Sequence, residues 1–172
     1  MSLSRLFLLT FASFALVNSS LAQKKKRVDA LAIPEVSRDK LICFALYTVH
    51  ERTLKLTAQL YPLKEGESRI ARLEGNTGGK WKQVAEAKGI ERGWTAPFRV
   101  EEWNDQEDTA YRVRHGEKAS YEGTIRKNPV DKREIVVVGF TGNSINAVHG
   151  GNIPKDDLVS NIKKLNPDLL FF

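Results

Sequence analysis

Glu134-Ile-Val-Val-Val-Gly-Phe140 and Asp168-Leu-Leu-Phe-Phe172 are the two stretches that decide how this chain is read. Neither alternates apolar with polar residues. A strand apolar on both sides must be covered on both faces, which is the condition of strands in a parallel sheet. Between the two lies a helix with clear end signals. Pro154 suits a first turn, Asp156 and Asp157 complement the positive end of the helix dipole, and Lys163 and Lys164 fall in the last turn. Leu158, Ile162 and Leu165 share one face at helical spacing with Val159 beside them, and Asn166-Pro167 ends the run. Strand, helix and strand in that order predict a βαβ unit. One helix covers one face only, so residues 130–172 read as the start of an incomplete α/β domain. Such a segment is expected to be unstable unless it docks on the preceding domain or on a missing partner. The chain is accordingly expected to be the front part of a larger protein.

In open α/β sheets, ligands bind beyond the carboxyl ends of strands, near helix N-termini. Here the connection from strand to helix, Thr141 to Ile153, is much longer than the usual βα loop of about 2–6 residues. It carries Asn143, Ser144, Asn146, His149 and Asn152 among glycines. Counting from Gly139, a phosphate loop would need Gly at 144 and Lys at 145, where the chain has Ser144 and Ile145. Gly150-Gly151 does not fit the dinucleotide fingerprint. Ser144 and His149 lack the G-x-S-x-G elbow of a nucleophile. His149 is a loop contact to a ligand or simply a polar loop residue, and both readings stand.

Upstream, the pattern changes to short strands with turn signals. Leu41 to Val49 and Leu54 to Tyr61 flank polar His50-Glu51-Arg52, and the second run alternates as a half-buried antiparallel strand does. Gly75-Asn-Thr-Gly-Gly79 reads as a loop, followed by a strand at Lys80 to Ala87. Pro97 to Trp103, Ala110 to Arg114 and Ala119 to Ile125 read as further strands, with a turn at His115-Gly116-Glu117. Six or seven strands without a convincing helix predict an antiparallel β-sandwich, immunoglobulin- or fibronectin-like, over residues 38–129. Tyr111 is expected to point inward. Trp81, Trp94 and Trp103 serve either as core and inter-sheet packing or as a stacking face for glycans. The first use makes the domain a scaffold and the second makes it a binding module.

Residues 1–22 have the form of a secretory signal peptide. Arg5 precedes an apolar run from Leu6 to Val17, and Ser20-Leu-Ala22 places small residues at the −3 and −1 positions. The run is too short for an ordinary membrane span, so a retained anchor is the alternative and no stable span is expected after cleavage. No twin arginine precedes the run and no cysteine follows it. The expected location is a periplasm or beyond. Residues 23–37, charged and containing Pro34, read as a linker. With 27 basic and 21 acidic residues the formal charge is +6, and losing Arg5 with the signal leaves +5. Lys24-Lys-Lys-Arg27 reads as a solvated tail or a contact with polyanions. No nucleic-acid module accompanies it, so no nucleic-acid partner is expected. Cys43 is the sole cysteine, which rules out an intramolecular disulfide and a cysteine-based metal site. It is expected to pack as a small hydrophobe within its apolar run.

Glu134-Ile-Val-Val-Val-Gly-Phe-Thr-Gly-Asn-Ser144, a helix, and then Asn166-Pro-Asp-Leu-Leu-Phe-Phe172 together resemble the start of the metallophosphatase domain in alkaline phosphatase D-like proteins. The preceding Tyr111-Arg-Val-Arg114 and Tyr121-Glu-Gly-Thr-Ile-Arg126 are part of the likeness, which covers roughly residues 38–172. It implies a secreted phosphoric ester hydrolase in which divalent metal ions activate water against a phosphate ester. It also implies that Asn143 occupies a metal-ligand position. The wider calcineurin-like pattern prefers Asp there, and a neutral amide oxygen holds a hard cation less tightly than a carboxylate does. The family's bridging Gly-Asp pair and its later Asn-His and His ligands do not occur in residues 1–172. A two-metal centre needs more ligands than Asn143 and His149 supply. The expectation is therefore an exported N-terminal part of a metal-dependent phosphoesterase, inactive by itself, with a phosphate-ester substrate only for the whole domain. The alternative is a secreted β-sandwich binding module for a glycan or protein ligand.

Overall fold

The computed structural model describes residues 32–141 and 153–171. The signal-peptide stretch and the first part of the linker lie outside them. Residues 32–37 have no regular structure and lie along Tyr61–Lys64, where Lys64 pairs with Glu35 at 2.7 Å. After a 3-10 turn at Arg38–Lys40, seven antiparallel strands follow: β1 (Ile42–His50), β2 (Thr53–Leu60), β3 (Ile70–Thr77), β4 (Lys80–Lys88), β5 (Thr95–Val100), β6 (Thr109–His115) and β7 (Ala119–Ile125). They form two sheets, ordered β1-β2-β5 and β4-β3-β6-β7. The chain changes sheet after β2, after β4 and after β5. The result is a β-sandwich, as the strand count predicts.

Alternation explains the layering. In β2, Leu54, Leu56, Ala58 and Leu60 are buried while Lys55 and Thr57 face solvent. In β3 the inward set is Ala71, Leu73 and Gly75, and in β6 it is Thr109, Tyr111, Val113 and His115. The apolar side chains among these meet in one core, at whose margin the rings of Tyr47 and Tyr111 pack edge to face, 6.4 Å apart. Fully burying one such leucine contributes roughly 1.5–3 kcal/mol.

Several expectations are corrected. Gly75-Asn-Thr-Gly-Gly79 is not all loop: Gly75, Asn76 and Thr77 belong to β3, and only Gly78-Gly79, at φ 59° and 79°, make the turn. Two successive residues at positive φ suit the twist of a tight hairpin, and glycine adopts them without strain. Trp103 is not in β5, which ends at Val100. Cys43 is exposed rather than packed, because the register of β1 shifts between Ile42 and Phe44 and turns that position outward.

Beyond the sandwich come β8 (Val137–Gly139), α1 (Asp156–Leu165) and β9 (Leu169–Phe171), with β8 and β9 paired in parallel. The pair is shorter than the apolar runs suggest. The predicted covering of these strands is also incomplete among the described residues. Ile135, Val137, Leu169 and Phe171 are each more than half exposed, as is Leu165 of α1, and none of the α1 side chains is buried. Asn166, left-handed at φ 46°, caps α1 by donating its N–H to the carbonyls of Ile162 and Lys163. Among the described residues no helix is long and apolar enough to cross a membrane.

Candidate functional site

The parallel pair has a defined polarity. Val137, Val138 and Gly139 lie opposite Leu169, Leu170 and Phe171, and the Phe140 N–H continues the ladder to the Phe171 carbonyl at 2.8 Å. Both strands therefore present their carboxyl ends side by side, at Phe140–Thr141 and at Phe171. From the first of these ends issues the long connection that carries the sequence-predicted site residues. Asn143, Ser144 and His149 lie outside the described residues.

The amino end of the pair is fastened by Asp168. One carboxylate oxygen accepts the Val136 N–H at 3.1 Å and the other takes the Lys132 ammonium at 2.5 Å, while the Asp168 N–H returns to the Val136 carbonyl at 2.8 Å. The side chain is only 4% exposed. The Lys132 hydrogen bond, with the Val136 N–H second, holds this carboxyl below the usual carboxylate range, so it is ionised at neutral pH. It faces the end of the pair opposite the long connection, and its work is structural.

The remaining histidines do not converge on this place. His50 is exposed at the end of the β1–β2 hairpin, and His115 is buried with its Nε2 2.5 Å from the Ser68 carbonyl, to which it donates. Among the described residues no three His, Cys, Asp or Glu side chains are grouped to hold a metal ion. These described residues do not fit a two-metal centre.

The tryptophans occupy three different environments. Trp103 is buried, its ring lying over Gly75, and its backbone N–H donates to the Arg52 carbonyl at 2.8 Å. Trp94 is half-buried against the core. Trp81 lies on the outer face of the four-stranded sheet, where the Arg112 guanidinium stacks 4.4 Å from its ring centre. That guanidinium also pairs with Glu74 at 2.5 Å. A glycan-stacking platform made of all three indoles finds no support in this arrangement.

The sequence reading gave no role to the junction between the sandwich and the parallel pair. Arg126, just past β7, donates through Nη1 to the Pro167 carbonyl at 2.7 Å, and its own N–H goes to the Tyr47 hydroxyl at 2.9 Å. Beside this contact is a crevice of about 430 Å³, walled by Ala45–Thr48, Tyr111, Arg126 and Pro167–Leu170. Tyr111, one of its lining residues, is 3% exposed. Burial, chiefly, with Tyr121 and Tyr47 nearby, pushes its phenol up to about 12. Because the folded value lies above the unfolded one near 10, stability is unaffected below pH 10. It falls as pH rises through about 12, by roughly 2–3 kcal/mol in all. The Cys43 side chain beside it raises the Tyr61 phenol as well, so a phenolate absorbance titration is expected to show more than one late-ionising tyrosine, and Tyr111→Phe to remove the step near pH 12.

Comparison with family models, with curated proteins and with solved structures finds no match to this chain.

Proposed function

We propose that this chain is the N-terminal part of an exported, metal-dependent phosphoesterase of the alkaline phosphatase D-like kind. On this reading the sandwich carries the first βαβ unit of the enzyme domain and does not itself catalyse. The observation that carries the proposal is the direct succession of two unlike units: a seven-stranded antiparallel sandwich, then a parallel β8–β9 pair linked through α1. The strand order β1-β2-β5 against β4-β3-β6-β7 supports an immunoglobulin- or fibronectin-like sandwich. The exposed Val137, Leu169, Phe171 and Leu165 support further strands and helices packing on the pair, since parallel sheets are covered on both faces.

Asn143 is the residue proposed to reach a divalent metal, with His149 as a neighbouring loop contact. The other ligands, and the substrate's phosphate site, would come from the rest of the domain. Signal cleavage after Ala22 and a periplasmic or secreted location belong to the same proposal.

The test is hydrolysis of p-nitrophenyl phosphate and its diester with added divalent metal. The purified 172-residue chain is expected to be inactive, and the chain joined to the product of the adjoining reading frame is expected to turn over. Turnover by the 172-residue chain alone, or none by a folded longer product, would overturn the proposal.

A further inference from the structure

We infer that Arg126 is a positioning residue: it fastens the start of β9 to the sandwich, and so sets where the carboxyl ends of the parallel pair lie. Four contacts converge on this point from distant parts of the chain. The Tyr47 hydroxyl, from β1, accepts the Arg126 N–H at 2.9 Å and fixes the residue's backbone to the three-stranded sheet. The Arg126 side chain then reaches across to the Pro167 carbonyl at 2.7 Å. The next residue, Asp168, is gripped by Lys132 from the connector between β7 and β8, and by the Val136 N–H at the head of β8. The dipeptide Pro167-Asp168 is thus held by groups from the sandwich, the connector and β8 together.

The chemistry suits a fastener. Arg126 is half-buried, and a guanidinium donating to a carbonyl in a partly desolvated place makes a charge-assisted bond, stronger than a neutral one. Its planar fork loses less freedom on bonding than an ammonium stem would. Asp168 adds attraction for the same cation. The need for a fastener is visible too. The β8–β9 pair is only three residues long per strand, its outward residues are exposed, and α1 buries nothing. A two-stranded piece of that size is marginal by itself. The sandwich is therefore the frame on which the pair is mounted. This inference does not depend on the phosphoesterase reading.

Amide hydrogen exchange on the whole chain tests it. In Arg126→Ala, exchange at the Asp168 and Phe140 amides, which bond across the pair, is expected to accelerate about tenfold, while Leu73 and Val113 in the sandwich core exchange as before. Tyr47→Phe, which keeps the ring and removes only the hydroxyl, is expected to act in the same direction. Arg126→Lys retains a donor and is expected to recover part of the protection. Unchanged exchange at Asp168 and Phe140 would overturn the inference, as would equal acceleration at Leu73 and Val113, or no recovery with lysine.

Discussion

Trp103→Ala is expected to destabilise the chain by about 3–5 kcal/mol, the usual range for deleting a buried indole. Trp103, three residues past the end of β5, packs its ring into the core, with the tip 3.8 Å from where a Gly75 side chain would begin. The ring is buried among core residues, and truncation would leave a cavity there. Trp81→Ala is expected to cost only about 1 kcal/mol, since it removes an outward ring and one cation–π contact with Arg112. Urea unfolding of the two variants measures both. Similar costs at the two positions would contradict the placement of Trp103 in the core and Trp81 on the surface.

The second large effect is at a glycine. Tyr111 and Gly123 are directly opposed across β6 and β7, and the tyrosine ring lies over the glycine. A Cβ at 123 would sit 2.7–2.9 Å from the Tyr111 ring carbons Cε1 and Cζ and its hydroxyl Oη. The ring is rigid and only 3% exposed, so it must swing out of the core or the strands must part. Overpacking of this kind costs about 1–3 kcal/mol, and here the upper half of that range is expected. For a domain of this size that lowers the melting temperature by roughly 10–20 °C. A thermal melt within a degree or two of the parent would show that the ring does not occupy the space above Gly123.

The sandwich was largely legible because its strands obey a two-residue period. Ala119–Ile125 is the predicted strand to the residue, and β2 differs from its prediction by one residue at each end. β3 was hidden because Gly75-Asn-Thr-Gly-Gly79 carries strong turn residues, of which only the last two turn. Gly75 lies inward in β3 beneath the Trp103 ring, a contact 28 positions away that no local pattern announces. Cys43 misled for a similar reason: a bulge reverses the side of a strand, and composition does not show it.

The junction was the least legible part. Asp168 stood inside a quoted stretch, yet its partners Lys132 and Val136, and the link from Arg126 to Pro167, exist only once the chain has folded back. The helix was predicted well in extent, while its apolar stripe of Leu158, Ile162 and Leu165 remains largely uncovered among the described residues. That uncovered stripe and the exposed strand faces are the observations on which the proposal of further protein rests.

Sequencing the locus onward from the codon for Phe172 tests the central claim most directly. A reading frame that opens with a Gly-Asp strand end and later supplies Asn-His and further histidines would establish the chain as the front of a two-metal phosphoesterase. Unrelated sequence in all frames would contradict that account, and the phosphoesterase assignment would then fall.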